Sequence, residues 1–261
     1  MEWETLKIEG EGAIRHLVLN RPRIHNAVNA QVLRDIIEAC AHLDGLSGCR
    51  VVILRGEGPS FCSGADLREG LAGDAALRDL VSRARLGQRA IAALAGLVPV
   101  SIAAVHGHVI GGGACFAVAC DFRIGAENTK VCVRETKLGL SLSWHSIPGF
   151  VHLVGPSRAK EMIMFAETYQ AGVMLDYGFF NEVVPEPELL EAALRLAEKV
   201  VAQPPLPVEM TKASINAVVR AMDQAVFHLD PYGLALTARS GDSAKARRTA
   251  AGEPAEDWEY E

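Results

Sequence analysis

The spacing of apolar and polar positions near the start of the chain follows two different periods. Residues 2–9 and 13–20 alternate apolar and polar side chains, a pattern that predicts two consecutive strands. Residues 30–43 place apolar side chains along one helical face, and Asn29 can cap the first turn of that helix. Residues 50–55 are an almost unbroken apolar run, which is typical of a strand buried on both faces. The opening of the chain is therefore predicted as strand, strand, helix, strand.

The alternation continues through the middle of the chain and then gives way to helices alone. Further strands are predicted at residues 100–105, 121–126, 130–133 and 179–184. Further helices are predicted at residues 71–97, 113–120, 156–165, 172–177, 187–202, 208–220, 223–239 and 243–250. The proline-rich residues 203–207 are interpreted as a linker. We therefore predict an α/β unit of repeated strand–strand–helix segments at residues 1–203, followed by a helical region at residues 204–261.

Composition narrows the class of protein. The chain has 261 residues, of which 49% are hydrophobic and 22% are charged, which is enough to bury a sizeable core. Its formal net charge of −6 gives no reason to expect a nucleic acid or an anionic membrane as a partner. The six cysteines and eight histidines show no metal-like spacing, so we expect no bound metal. Because there is no basic leader and no apolar run long enough to span a membrane, we expect a cytoplasmic protein.

Three consecutive glycines, Gly111 to Gly113, lie between the strand predicted at residues 100–105 and the helix predicted at 113–120. Glycines let the backbone approach a ligand closely, and a helix N-terminus offers unpaired N–H groups at the positive end of its dipole. This combination predicts an anion-binding site, although a tight turn or close packing would need the same residues. The spacing differs from that of dinucleotide-binding and phosphate-binding loops, so we expect no nucleotide cofactor.

A second segment of small residues around a glycine covers residues 61–67, with the sequence Phe-Cys-Ser-Gly-Ala-Asp-Leu. Together with residues 107–113, it resembles the crotonase superfamily, the enoyl-CoA hydratases and isomerases. The resemblance extends along nearly the whole chain and includes residues 19–22 near its start. It implies an α/β fold, a crotonase-like spiral of repeated ββα units. It also implies a C-terminal helical oligomerisation region that joins subunits into a homotrimer or a dimer of trimers.

The resemblance further implies an acyl-CoA site. Negative charge that develops on a thioester oxygen would be stabilised by the backbone N–H groups of Ala65 and Gly112. Coenzyme A would be present as part of the thioester substrate, with no permanently bound cofactor. The residues implied as its contacts are Arg23, Ala27, Ala65, Asp66, Leu67 and Arg68. Arg23 is the stronger candidate for the phosphates and Arg68 the weaker, and both could instead be surface arginines.

Two positions where hydratases of the superfamily carry glutamates hold Cys115 and Glu135 in this chain. A thiol is a weak hydrogen-bond partner and does not hold a water molecule as a carboxylate does. One base beside an oxyanion hole is enough to move a proton between C2 and C4 of an enoyl thioester, which favours isomerisation with Glu135 as the acid/base. His145 is a candidate second acid or base because it titrates near neutral pH, although a histidine beside a tryptophan is more often a packing residue.

Other reactions stay open at this stage. The alternatives are a specialised enoyl-CoA hydratase, a thioester hydrolase or a decarboxylase on the same oxyanion hole, and a non-catalytic acyl-CoA-binding subunit. The catalytic hypotheses predict that Glu135→Gln nearly abolishes activity while binding survives. The binding-only hypothesis predicts thioester affinity without turnover.

Overall fold

The computed structural model describes residues 3–66, 68, 76–255 and 257–259. Leu67 and the start of the helix predicted at residues 71–97 lie outside the described residues. The strands are β1 (Leu6–Glu9), β2 (Ile14–Leu19), β3 (Val51–Gly56), β4 (Val100–Val105), β5 (His108–Ile110), β6 (Phe122–Ala126), β7 (Lys130–Cys132), β8 (Tyr169–Gln170) and β9 (Glu182–Val184). The helices are α1 (Ala30–Asp44), α2 (Leu77–Ala95), α3 (Gly112–Ala119), α4 (Ser146–Phe165), α5 (Ala171–Asp176), α6 (Leu189–Val201), α7 (Pro205–Val219), α8 (Gln224–Phe227), α9 (Asp230–Ala238) and α10 (Gly241–Ala250).

The main sheet has the strand order β1-β2-β3-β4-β6-β9. The β1–β2 pair is antiparallel, and the neighbouring pairs from β2 onwards are parallel. Parallel strands bring their carboxyl ends to the same edge of a sheet, so the segments that follow β3 and β4 come together there. A smaller sheet has the order β5-β7-β8, and its β5 strand leads directly into the three glycines.

The main sheet is buried on both faces, as its continuous apolar strands predict. On β3, Val51 and Ile53 belong to a core cluster shared with α6. Val52 and Leu54 point to the opposite face and join the larger cluster that includes α1, α3 and α4. This alternation follows from the two-residue period of a strand. The sheet is therefore a rigid support for the loops at its carboxyl edge.

Most of the predicted elements are confirmed. Helix α1 begins where expected, because the Asn29 side-chain oxygen accepts a hydrogen bond of 3.0 Å from the Val32 N–H. Helix α3 begins at Gly112, one residue before its predicted start. The short strand β5 and the first half of α4 were not predicted. Helix α4 changes direction at Gly155, and only the part after this break was expected.

Two predictions about the C-terminal region were wrong. The proline-rich stretch 203–207 is not a linker throughout, because Pro205 starts α7. Proline suits the first turn of a helix, where its missing N–H would have no intrahelical partner. The single helix predicted at residues 223–239 is two helices, α8 and α9, with Pro231 in the first turn of α9. A domain boundary at residue 203 stays a prediction.

Three further features concern the described ranges as a whole. No helix within them is both long and apolar enough to cross a membrane. Within the same ranges, no three histidine, cysteine, aspartate or glutamate side chains are grouped so that they could hold a metal ion. The cysteines at positions 40, 49, 62, 115, 120 and 132 are all free thiols.

Candidate active site

The two glycine-containing segments meet at the carboxyl edge of the main sheet. Cys62 pairs with the strand β5 through two backbone bonds: its N–H donates to the His108 carbonyl at 2.9 Å, and its carbonyl accepts from the Ile110 N–H at 3.0 Å. Gly64 has a φ of +87°, and a Cβ at this position would lie 2.8 Å from the Ile110 carbonyl oxygen. The two segments can approach this closely only because residue 64 has no side chain.

The backbone around Ala65 is fixed by a bridge to Val28. The Val28 N–H donates to the Gly64 carbonyl at 2.7 Å, and the Asp66 N–H donates to the Val28 carbonyl at 2.8 Å. In a pleated backbone, this pairing directs the N–H of Ala65 away from Val28. Ala65 is exposed, and its N–H donates no hydrogen bond to any residue that the structure describes. The free donor faces the open side of the site.

The glycine triplet provides a second free donor. Gly111 has a φ of +50°, and its N–H donates to the Cys132 carbonyl at 2.8 Å. Gly112 is the first residue of α3, and its N–H has no acceptor among residues 3–66, 68 and 76–255. A helix N-terminus concentrates partial positive charge on such groups. Ala65 and Gly112 therefore both keep a backbone N–H group without an acceptor in the described part of the chain.

Glu135 packs directly against the first glycine of the triplet. Its Oε1 atom lies 2.7 Å from the position that a Cβ of Gly111 would occupy. Its Oε2 atom is inaccessible to solvent and has no hydrogen-bond partner in the described part of the chain. Burial disfavours the charged carboxylate and raises the pKa of Glu135 to about 7. A carboxyl group with this pKa can both accept and release a proton near neutral pH.

Cys115 is a buried neutral thiol near that carboxyl. Only 2% of its surface is accessible. Burial, followed by the nearby charge of Glu135, raises the thiol pKa well above its usual value, while a hydrogen bond with Ser146 acts in the opposite direction. Thiolate is the nucleophilic form of cysteine, so Cys115 is unsuited to be a nucleophile. Its placement is that of a small apolar residue in the core.

Trp144 and His145 form a left-handed turn, and their side chains pack against different parts of the protein. Both have left-handed backbone conformations, with φ values of 65° and 59°. The Trp144 ring lies against Gly112, whereas the His145 imidazole stacks on Phe227 at a centroid distance of 3.7 Å. Burial lowers the pKa of His145, and Asp230 opposes that change. His145 is thus packed against the C-terminal helices, and its role as a second acid or base stays a prediction.

Asp66 organises the residues implied to contact coenzyme A. Its carboxylate accepts hydrogen bonds from Arg68 Nε at 3.0 Å and from Arg21 Nη2 at 3.1 Å. These bonds, with Arg68 the larger contributor, lower the pKa of Asp66 to about 2. Arg21 also donates a hydrogen bond to the Ala27 carbonyl. Arg23, two residues further along the chain, is exposed. Arg21 belongs to the loop at residues 21–27 that the resemblance places against coenzyme A, although it was not singled out as a contact.

The strand order, the C-terminal helices and the paired glycine segments define an α/β protein of the crotonase type. The chain belongs to the enoyl-CoA hydratase/isomerase family, whose model, described as Enoyl-CoA hydratase/isomerase, matches residues 9–250. It is 30% identical over 237 residues to the crotonyl-CoA hydratase of Syntrophomonas wolfei subsp. wolfei, covering 90% of each chain. It is therefore an acyl-CoA enzyme of this family.

Solved structures share the fold of this chain. The enoyl-CoA hydratase from Mycobacterium avium subsp. paratuberculosis K-10 has the same fold, with a TM-score of 0.87 at 22% identity, covering 99% of this chain and 100% of that one. A candidate enoyl-CoA hydratase from Thermobifida fusca YX was solved in complex with acetoacetyl-CoA. It has a TM-score of 0.74 at 27% identity, covering 85% of this chain and 94% of that one.

Proposed function

We propose that this enzyme moves a double bond within an enoyl-CoA thioester, with Glu135 as the single acid/base and the N–H groups of Ala65 and Gly112 as the oxyanion hole. The observation that carries the proposal is the buried Oε2 atom of Glu135, which lacks a partner among the described residues. A buried carboxylate oxygen without a partner is unfavourable for stability. Because this carboxyl group lies against Gly111, next to the free N–H of Gly112, it is positioned to transfer a proton to or from a thioester bound there.

The oxyanion hole would stabilise the negative charge that forms when the substrate loses its proton. Removing a proton next to a thioester moves an electron pair onto the thioester oxygen. Two fixed N–H donors stabilise that oxygen as its charge grows, and each is worth roughly 3 kcal/mol. The donors of Ala65 and Gly112 need no rearrangement for this task, because backbone hydrogen bonds already hold Gly64, Asp66 and Gly111.

Glu135 then completes a balanced proton transfer. Its carboxylate removes a proton from C2 of a 3-enoyl thioester, and the resulting enolate spreads its charge onto the thioester oxygen. The carboxyl group next delivers a proton to C4 while the double bond moves to C2–C3. The carboxylate is regenerated, and no water, metal or redox partner enters the step. A pKa of about 7 suits both directions of transfer at neutral pH.

Hydration is the second candidate function. It is favoured by the name of the Syntrophomonas wolfei relative, which is a crotonyl-CoA hydratase. Against it stands Cys115, a buried neutral thiol at the position where a second carboxylate is expected. Holding and activating water would then fall to another group near Glu135. The single-carboxylate arrangement therefore favours isomerisation.

Coenzyme A would lie along the cluster around Asp66. In this proposal Ala27, Ala65 and Asp66 border the pantetheine arm, and the exposed side chains of Arg23 and Arg68 meet the phosphates. Leu67, which lies outside the described residues, stays a predicted contact. The Thermobifida fusca structure with acetoacetyl-CoA supports a CoA thioester as the ligand.

We expect the enzyme to assemble as a homotrimer or a dimer of trimers through its C-terminal helices. Helix α7 has no buried residue in the single chain. Large apolar side chains are exposed on α7 to α9 and the turns between them, namely Leu206, Met210, Ile215, Val218, Met222, Val226, Leu229 and Leu236. So many large apolar side chains exposed on neighbouring segments are typical of an interface between subunits.

The test is incubation of a 2-enoyl-CoA and a 3-enoyl-CoA in deuterated water, followed by mass spectrometry. Isomerisation predicts a migrated double bond with deuterium but without added water, and a loss of about 10²–10⁴-fold in Glu135→Gln. Glu127→Gln, which changes an exposed carboxylate, is the matched control. Addition of water would establish hydration, and neither change with either substrate would contradict both candidates.

A further inference from the structure

We propose that Trp144 forms the closed end of the acyl site and restricts this enzyme to short acyl groups. The inference takes the position of the thioester from the proposed function. The contacts that carry it are those of Trp144, which has no part in the proposed proton transfer. The indole ring occupies space beside Gly112 that an extended acyl chain would need.

The ring lies between two helices at positions where neither has a side chain. A Cβ at Gly112 of α3 would be 2.7 Å from Trp144 Cζ3, and a Cβ at Gly87 of α2 would be 2.1 Å from Trp144 Nε1. Both distances are too short for a real Cβ, so the indole fits only because both residues are glycine. The ring also stacks on Phe116 at a centroid distance of 6.2 Å. The glycines of two separate helices thus accommodate one large side chain.

The direction of the acyl chain follows from the two ends of the site. The coenzyme must enter from the side of Ala65, which is exposed, whereas Gly112 is buried. With the thioester oxygen between these two N–H groups, the acyl chain extends inward from Ala65 past Gly112. On that inner side it meets Glu135 against Gly111 and then the indole against Gly112. An acyl chain that continues past Gly112 must displace the ring, so the arrangement favours short acyl groups.

The C-terminal helices hold the ring in place. Asp230, the first residue of α9, accepts hydrogen bonds from the His145 N–H at 3.1 Å and from Gln88 Nε2 at 2.9 Å. Gln88 follows Gly87 on α2, so Asp230 ties the turn after Trp144 to the helix that the ring contacts. The stacking of His145 on Phe227 fixes the same turn from the other side. Asp230 is therefore a positioning residue for the tryptophan.

The experiment compares the affinities of butyryl-CoA and octanoyl-CoA by titration calorimetry, since neither saturated thioester needs turnover. We expect the wild-type enzyme to bind butyryl-CoA at least about tenfold more tightly, because even one misplaced methylene in a pocket costs about tenfold or more. Trp144→Leu and Trp144→Ala should reduce or reverse this ratio. Trp258→Ala, which changes an exposed tryptophan, should leave the ratio unchanged. Trp144→Leu keeps apolar packing, and a melting curve confirms that each variant is folded.

The outcomes distinguish a failure of the inference about Trp144 from a failure of the proposed reaction. Equal wild-type affinity for the two thioesters, or a ratio unchanged in both folded Trp144 variants, would overturn the inference. If the ratio shifts but no enoyl-CoA is converted, the inference stands and the proposed reaction fails. If enoyl-CoA is converted through Glu135 but the ratio does not shift, the proposed reaction is supported and the inference about Trp144 fails. Asp230→Asn should shift the ratio in the same direction while the affinity for CoA without an acyl group stays constant.

Discussion

The carboxyl group of Glu135 and the backbone of Gly111 are in direct contact. Glu135 Oε1 lies 2.7 Å from the position that a Cβ of residue 111 would occupy, and no side chain fits between them. Gly111 also has a φ of +50°, which disfavours any residue with a Cβ. The glycine therefore has two roles. It permits the turn into α3, and it lets the carboxyl group approach the start of α3, where the oxyanion hole is proposed.

We expect Gly111→Ala to reduce turnover by at least about 10²-fold, because a displacement of the base by an ångström is enough for such a loss. The same change should lower the free energy of unfolding by about 1–2 kcal/mol through backbone strain. Gly172→Ala is the matched control, since a Cβ there has open space around it. Steady-state kinetics and urea unfolding measure the two effects. Full activity in a folded Gly111→Ala variant would contradict the role of this contact.

The pKa of Glu135 predicts how stability and activity change with pH. Because its folded-state pKa is about 7 and the ordinary value is 4.5, the folded state binds a proton more tightly than the unfolded state. Stability from this group is therefore fully present below pH 4.5 and is lost as the pH rises through 7. Glu135→Gln removes the charge and should stabilise the protein at pH 8 by up to roughly 3 kcal/mol, with little effect at pH 4.5.

Urea unfolding of the Glu135→Gln variant at the two pH values measures this difference. Catalytic efficiency should change in the opposite sense, since the proposed base is the carboxylate: kcat/KM of the wild type, which reports the free enzyme, should rise with pH through about 7. A stability difference that is independent of pH would show that the carboxyl group is not buried in solution.

Cys115 should be dispensable for proton transfer. Because its thiol is buried and its pKa is raised, Cys115→Ala should retain turnover within a few-fold and cost about 1 kcal/mol of stability. The measurement is the rate of deuterium entry into an enoyl-CoA. A loss comparable to that of Glu135→Gln would instead assign the thiol a direct part in the reaction.

Arg23 is expected to bind a phosphate of coenzyme A. A charge-assisted hydrogen bond is worth about 1.5–3 kcal/mol, so Arg23→Ala should raise KM for an enoyl-CoA by about tenfold or more. The KM for the corresponding pantetheine thioester, which has no nucleotide phosphates, should not change. Arg34→Ala on the exposed face of α1 is the control. Equal effects on both substrates would indicate that Arg23 does not contact a phosphate.

The apolar surface of the C-terminal helices is expected to join subunits. Val218 and Leu236 are 79% and 74% exposed in the single chain. Replacing both by glutamate should convert a trimer or hexamer into monomers, because a charge is costly to bury in such an interface. Sedimentation velocity reports the assembly state, and Val173→Glu on α5 serves as a comparison. A monomeric wild-type protein would contradict the expected assembly outright.

The local pattern was sufficient wherever it reflects local physics. The cap at Asn29, the doubly buried strand β3 and the helix after the glycine triplet were predicted, because capping, side-chain alternation and glycine turns act over a few residues. The proline-rich stretch was misread because proline both ends helices and begins them. The segment before α7 does not reveal which of these applies.

The sequence by itself determined the family, the two glycine segments and the identity of Glu135 as the candidate base. Only the tertiary structure decided that Oε2 of Glu135 is buried without a described partner, that His145 faces Phe227, and that Trp144 fits against Gly87 and Gly112. These relationships join residues that are distant in the chain: the left-handed turn at Trp144 and His145 contacts both α2 and α9. Burial and cross-chain packing shift the pKa of a group and direct a side chain, and neither is encoded in a local pattern.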